Sequence, residues 1–317
     1  MIKKKKIFIT GGAGFIGSTL AEILVTDNEV IIYDNFKRDA LSGKSFTSNP
    51  HIKIIKGDIL DYDNLAQAMF EVDYIIHCAA IAGIDTVIAH PSETLRVNLI
   101  GTANVLEAAK NLKNLNRIVV FSTSEVFGEK AFNSKEGDRA IIGAAGEARW
   151  VYAVSKLAGE HLAQAYYQEF NLPIVSVRPF NIYGPGQVGE SAMQKFIQNA
   201  ISNNDIEIYG DGTQIRAWCY IDDFVDGLMR CLDIPKAIGE SFNIGNARDI
   251  VTIYGLAQTI CRVLKSESKI VFKPPLSVDV ELRIPSIIKA QKILNFKAKV
   301  NLEEGIRRTA AWFLQRQ

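Results

Sequence analysis

Ile7-Phe8-Ile9-Thr10-Gly11-Gly12-Ala13-Gly14-Phe15-Ile16-Gly17 passes from a short apolar run, through a glycine turn, into a stretch with helical spacing. Gly14 lets the backbone approach a pyrophosphate, and Gly17 allows tight packing of the helix on the strand. The helix start, at Phe15 and Ile16, offers free amides and a positive dipole end to phosphate. A strand before the glycines and a helix after them are the context that makes such a loop a dinucleotide site. Asp34 closes the next strand, twenty residues beyond Gly14. A carboxylate there accepts bonds from ribose hydroxyls and repels a 2′-phosphate, so NAD is expected rather than NADP. Lys37 and Arg38 follow closely and either soften that preference or, the reading ranked first, are solvated loop charges, and Asp58 in Lys56-Gly57-Asp58-Ile59 either caps the adenine end or is an ordinary turn aspartate.

Outward from this loop, apolar runs alternate with helical stretches. Ile7–Ile9, Glu29–Tyr33, Ile52–Lys56, Tyr74–Cys78, Arg117–Ser122 and Ile174–Arg178 read as strands. Gly17–Thr26, Asp63–Phe70, Ser92–Asn111 and Tyr152–Phe170 read as helices. Such alternation predicts an α/β fold with a doubly wound parallel sheet covered on both faces. After Pro179 the rhythm weakens; a helix at Ala192–Ser202, a strand at Phe242–Ile244 and a helix at Leu302–Leu314 remain. The expected division is a dinucleotide-binding domain over 1–178 and a smaller substrate lobe over 179–317, with some lobe segments returning to the sheet.

The chain has 317 residues, 48% hydrophobic and 22% charged, enough for a substantial core in one large or two interleaved domains. A net charge of +1 provides no field for nucleic acid or an anionic membrane. The apolar stretch after the lysine run Lys3–Lys6 ends after three residues, too soon for a secretory signal. No segment approaches the length of a membrane span. Cys78, Cys219, Cys231 and Cys261 lack metal-ligand spacing, as do His51, His77, His90 and His161. A cytoplasmic location with reduced thiols and no metal is the expectation.

Tyr152 and Lys156 stand four residues apart, on one face of a helix. A lysine ammonium close to the phenol favours its phenolate. A tyrosine so placed can exchange a proton with a substrate hydroxyl near neutral pH. Beside a dinucleotide site, that suggests hydride transfer to and from a sugar-like alcohol.

The glycine loop, His77-Cys78-Ala79-Ala80, Phe121-Ser122-Thr123-Ser124-Glu125-Val126-Phe127-Gly128, the Tyr152–Lys156 pair and Arg178-Pro179-Phe180-Asn181-Ile182-Tyr183-Gly184-Pro185 follow one another in the chain. Together they resemble the extended short-chain dehydrogenases/reductases of the NAD-dependent nucleotide-sugar epimerase/dehydratase type, over nearly the whole length. The resemblance implies a Rossmann-type sheet with a C-terminal substrate lobe, a tightly held NAD and a homodimer paired through the helices at Ser92–Asn111 and Tyr152–Phe170. It places Gly11, Gly14, Phe15, Ile16, Gly17, Asp34 and Asn35 on the cofactor, together with Asp58, Ile59, Ala79, Ala80, Tyr152 and Lys156. Thr123 is implied to bond the sugar 4-hydroxyl, Tyr152 to remove its proton, and Lys156 to lower the tyrosine pKa while holding the nicotinamide ribose. The substrate implied is a nucleotide-diphosphate sugar, a UDP-sugar first, bound by Asn181, Arg149, Arg216 and Arg283.

A transient C4 ketone leads to epimerisation, water loss or decarboxylation, and the residues around C5 and C6 decide which. Simple 4-epimerases of the family carry small or hydroxyl residues where this chain has Ser124-Glu125. Acidic residues there resemble 4,6-dehydratases and UDP-glucuronate decarboxylases, so Ser124 and Glu125 are assigned to catalysis. Ala148-Arg149-Trp150-Val151-Tyr152 and Asp279-Val280-Glu281-Leu282-Arg283-Ile284-Pro285 resemble the decarboxylases, whereas Gln187-Val188-Gly189-Glu190-Ser191-Ala192 stands nearer to dehydratases or epimerases. Ordinary epimerases place their diphosphate-binding arginine one or two residues before the position of Arg283. Arg283 is therefore either a catalytic cation or a diphosphate clamp. A lyase ranks first and a 4-epimerase second. An idle NAD-binding regulator, the rival class, has no need of Thr123, Tyr152 and Lys156 together.

Overall fold

The computed structural model describes residues 2–189, 191–275 and 280–316. Glu190 and Asp279, within two of the segments singled out above, lie outside the described residues. Seven parallel strands form the central sheet: β1 (Lys6–Thr10), β2 (Glu29–Asp34), β3 (Ile52–Lys56), β4 (Tyr74–His77), β5 (Arg117–Phe121), β6 (Ile174–Pro179) and β7 (Ser241–Ile244). Their spatial order is β7-β6-β5-β4-β1-β2-β3, so the chain reverses direction between β1 and β4. In open α/β sheets a crevice forms there, outside the carboxyl ends of the strands.

Both faces of the sheet are buried, as side-chain alternation along the strands requires. Ile7, Ile9, Ile76, Val119, Val175 and Val177 point to one core, and Phe8, Ile31, Ile75, Ile118, Val120 and Ile174 to the other. The second core is closed by helices Tyr62–Ala68, Gly101–Lys110 and Val151–Phe170, through residues such as Leu65, Val105, Leu106 and Ala163. The first is completed from the second half of the chain: Phe224, Leu228 and Cys231 pack in it beside Leu20 and Leu24 of the helix Phe15–Leu24.

The helix Ile221–Asp233 was not foreseen, although its sequence carries the signal. Ile221, Phe224, Val225, Leu228, Cys231 and Leu232 are all buried and repeat at helical spacing. Arg117 in β5 donates to the carbonyls of Cys231 and Ile234 and so closes the C-terminal end of that helix. The helix Ile253–Leu264 was missed in the same way. A second, four-stranded sheet holds Ile250–Thr252, Ile215–Ala217, Leu282–Pro285 and Lys130–Ser134 in that order. Asn181, just beyond the carboxyl end of β6, bonds to Ala217 in this sheet, which also sets Arg216 beside Arg283.

The expected helix Ser92–Asn111 is one helical run with a wider turn inside it. Pro91–Leu95 and Gly101–Lys110 are α-helical, and Arg96–Ile100 between them is a π turn. Such a turn, rare in helices, often marks a functional position. Here it carries Asn98, only 1% exposed.

Candidate active site

The glycine loop is shaped by contacts that leave no room for side chains. Gly11 has φ +69°, and an added Cβ would lie 2.5 Å from the Ala79 nitrogen. A Cβ on Gly17 would lie 2.4 Å from the Gly11 carbonyl oxygen. Gly14 is the N-cap of helix Phe15–Leu24 and offers no side-chain cap, so the amides of Phe15 and Ile16 are left for a ligand. The Asp34 carboxylate accepts from Ala13 N at 2.9 Å and Phe36 N at 2.8 Å, which fixes it beside the loop. Asn35 is exposed next to it. These features fit the phosphates and ribose of a dinucleotide. Asp58 uses one carboxylate oxygen to accept from Leu60 N at 2.9 Å, a turn bond, while the Ile59 carbonyl accepts from Asn104 at 2.9 Å.

Below the cofactor crevice a buried polar chain runs Thr10–His77–Thr102. Thr102 donates to the Asn98 carbonyl at 2.6 Å, so its oxygen accepts from His77 Nε2–H at 2.9 Å. His77 Nδ1 then accepts from the Thr10 hydroxyl at 2.7 Å, and Thr10 in turn accepts from Ala79 N at 3.4 Å. This assignment needs a neutral imidazole, and burial, with Lys156 nearby, pushes His77 down to about 3. Asn98 fastens the next stretch: its side chain accepts from Ile81 N (2.7 Å) and donates to Ile81 O (3.0 Å) and Ser155 Oγ (3.0 Å). Ser155 then donates to the Tyr152 carbonyl at 2.7 Å. One side chain thus ties the loop behind Ala79 and Ala80 to the helix of Tyr152. Sequence reasoning missed Asn98; its signal was a small amide inside an otherwise apolar helical run.

Thr123 caps the short turn Ser124–Phe127, accepting from Glu125 N at 3.2 Å, and its hydroxyl bonds to Tyr152. Ser124 is buried beside it. Lys156 is 3% exposed, and burial lowers it to about 8, with Cys78 and Glu160 opposing. Burial, and after it the Glu125 carboxylate, push the Tyr152 phenol up; Thr123, Arg283 and Arg38 pull it down.

Glu125 holds the most unusual position. Arg149 donates to both of its oxygens, at 2.7 and 3.3 Å, and Arg283 lies 3.3 Å from one of them. The side chains of Arg149 and Arg283 are 7% and 6% exposed. Burial alone would raise Glu125, but the two guanidiniums outweigh it and hold the carboxyl below its ordinary value. Arg149, expected on the substrate, has its guanidinium on Glu125. Arg216 stands in register with Arg283 on neighbouring parallel strands, so the two side chains leave the sheet on the same face. Arg216 is less buried and donates to the carbonyls of Ile215 and Glu281 at 3.1 and 3.4 Å. Asn181 adopts a left-handed backbone, φ +43°, and donates to the Ala217 carbonyl at 2.9 Å, which anchors the strand of Arg216.

Among the described residues no group of three His, Cys, Asp or Glu side chains is placed to hold a metal ion. No helix among them is long and apolar enough to cross a membrane.

Residues 7–245 match the model of the NAD dependent epimerase/dehydratase family. A UDP-N-acetyl-alpha-D-glucosaminuronate decarboxylase of Bacillus cytotoxicus is 37% identical, with 98% of each chain covered. UDP-glucuronic acid decarboxylase 1 of Arabidopsis thaliana is 32% identical over 99% of this chain and 71% of its own. Among solved structures, the UDP-glucuronic acid 4-epimerase of Bacillus cereus, in complex with UDP-glucuronic acid and NAD, superposes with a TM-score of 0.90. It is 30% identical, covering 98% of this chain and 100% of that one.

Proposed function

Since the chain belongs to the NAD-dependent epimerase/dehydratase family, we propose that it decarboxylates a UDP-activated uronic sugar, with UDP-N-acetylglucosaminuronate as the first substrate and UDP-glucuronate as the second. The observation that carries this reading is the Arg149–Glu125–Arg283 cluster. A 4,6-dehydratase needs a protonated acid to expel the 6-hydroxyl, and two guanidiniums keep Glu125 ionised. A guanidinium such as Arg283 beside that carboxylate suits an acid group on the sugar, which a C6 carboxylate supplies and a 6-hydroxymethyl group does not.

When bound, NAD supplies the reversible hydride acceptor at sugar C4, and a C4 ketone is the electron sink that lets a carboxylate on C5 leave as CO2. Gly11, Gly14, Gly17 and Asp34 would hold the cofactor. Tyr152 and Thr123 face the alcohol: the tyrosine oxygen exchanges its proton and the threonine orients it. Arg283 sits beside the departing carboxylate, while Arg216 and Asn181 take the diphosphate end. A homodimer through the helices 91–110 and 151–170 belongs to the same reading.

A second reading, 4-epimerisation of a UDP-uronate, is favoured by the close superposition on the Bacillus cereus epimerase. Incubation with UDP-N-acetylglucosaminuronate, UDP-glucuronate, UDP-glucose and UDP-N-acetylglucosamine separates the two. CO2 release and a UDP-pentose from a uronate are expected. A uronate epimer without CO2 supports the second reading, and a 4-keto-6-deoxy product from a neutral sugar would sink both. Tyr152→Phe should lose all of these turnovers.

A further inference from the structure

Both arginines bear on Glu125: Arg149 engages both carboxylate oxygens, and Arg283 lies 3.3 Å from one of them. Arg149 also lies over the ring of Trp150, 5.3 Å from its centroid, and Trp150 is 2% exposed. Both belong to the short turn Ala148–Trp150 that leads directly into the helix of Tyr152. A fork-on-fork pair fixes orientation as well as charge. Arg149 is therefore built into the frame that carries Tyr152, and its hydrogen-bonding ends are turned to Glu125.

We propose that Arg149 is a positioning residue: it holds Glu125 as a carboxylate in one orientation beside Arg283, and so commits the oxidised sugar to loss of CO2. The assignment of the outcome rests on the decarboxylase reading; the hold on Glu125 does not. The charged and titratable groups that bear on Glu125 come from three elements. They are Arg149 from the turn, Arg283 from strand Leu282–Pro285 and Tyr152 from helix Val151–Phe170. On the adjoining strand, Lys130 turns away to Glu281, and further along the helix Glu160 is committed to Arg178. Without Arg149 the carboxylate keeps a single cation, so its protonation becomes easier and its orientation freer.

The test uses the NAD-loaded protein with Arg149→Gln and Arg149→Lys. Without substrate, protein labelled with 13C at the glutamate carboxyls is titrated by NMR, and Glu125 is assigned by the signal missing in Glu125→Gln. Its midpoint should rise by about one to three pH units in Arg149→Gln and return part of the way in Arg149→Lys. With the UDP-uronate, kcat for CO2 release should fall by about a hundredfold at neutral pH, with KM little changed. The acid limb of the pH profile should move upward with the Glu125 midpoint. An unmoved Glu125 titration, or slower CO2 release with an unshifted pH profile, overturns the proposal. If Arg149→Gln does not fold, Arg149→Lys carries both readouts. If the unaltered protein releases no CO2 from either uronate, the substrate reading fails while the NMR titration still decides the role of Arg149.

Discussion

Lys156 shows how a single residue at the candidate site can cost stability. Its ammonium is buried, and its pKa falls from 10.5 to about 8 because burial disfavours the charged form. The unfolded chain therefore binds more protons than the folded one between about pH 8 and 10.5, and stability rises with pH across that window. Below pH 8 the penalty is fully present, on the order of 3 kcal/mol at most for a shift of this size. Lys156→Met, of similar length and uncharged, should raise the melting temperature at pH 7, and the gain should vanish towards pH 10.5. Calorimetry at both pH values checks this; a variant no more stable at pH 7 would show that the ammonium is not strained by its burial. The same variant should lose turnover, the usual trade between stability and activity.

At the scale of elements, the π turn Arg96–Ile100 is held by what Asn98 does for its neighbours. Asn98→Ala leaves Ile81 N and Ile81 O without their partner, at about 1–3 kcal/mol for each orphaned group. Urea denaturation should show that loss, and the purified protein should retain less NAD because the Ala79–Ile81 stretch is no longer fastened. Unchanged stability and NAD content would count against the clamp. The sequence made the first half of the fold legible because its strands are buried on both faces and their apolar runs are continuous, as in Ile7–Ile9 and Ile118–Phe121. It was less legible after Pro179, where short strands such as Ile215–Ala217 take their identity from distant partners, Val251 and Arg283, that no local pattern announces. The motif residues Gly11, Thr123 and Tyr152 could be placed from spacing and resemblance. The turning of Arg149 to Glu125 could not, since it depends on three separate segments meeting in space.

The whole molecule is organised so that its two halves share structure. Glu160 accepts from Arg178 and, at 2.7 Å, from Ser241, and Asn243 donates to the carbonyls of Ser134 and Ser286. Strand β7 lies beside β6 in the main sheet, and the first core mixes residues from before and after Pro179. The outer side of the helices 91–110 and 151–170 is a different matter. Leu95, Ile100, Val154 and Phe170 are between 36% and 47% exposed, apolar area that pairing with a second copy would remove from water. The protein is expected to sediment as a dimer. Ile100→Glu with Val154→Glu should give a monomer that still binds NAD; sedimentation of the unaltered protein as a monomer at micromolar concentration would refute the pairing.

The register of Arg216 with Arg283 has a consequence for how such a lobe changes over time. Side chains alternate along a strand, so moving an arginine from 283 to 282 sends it to the opposite face, and moving it to 281 keeps the face but shifts the charge by about 6.6 Å. Intermediate placements do not exist. A descendant that relocates this cation must therefore do so in one step, by substitution or by a bulge such as the register shift between Arg283 and Pro285. Parity along one short strand makes the cation's position a discrete inherited character, one that selection can switch but not tune.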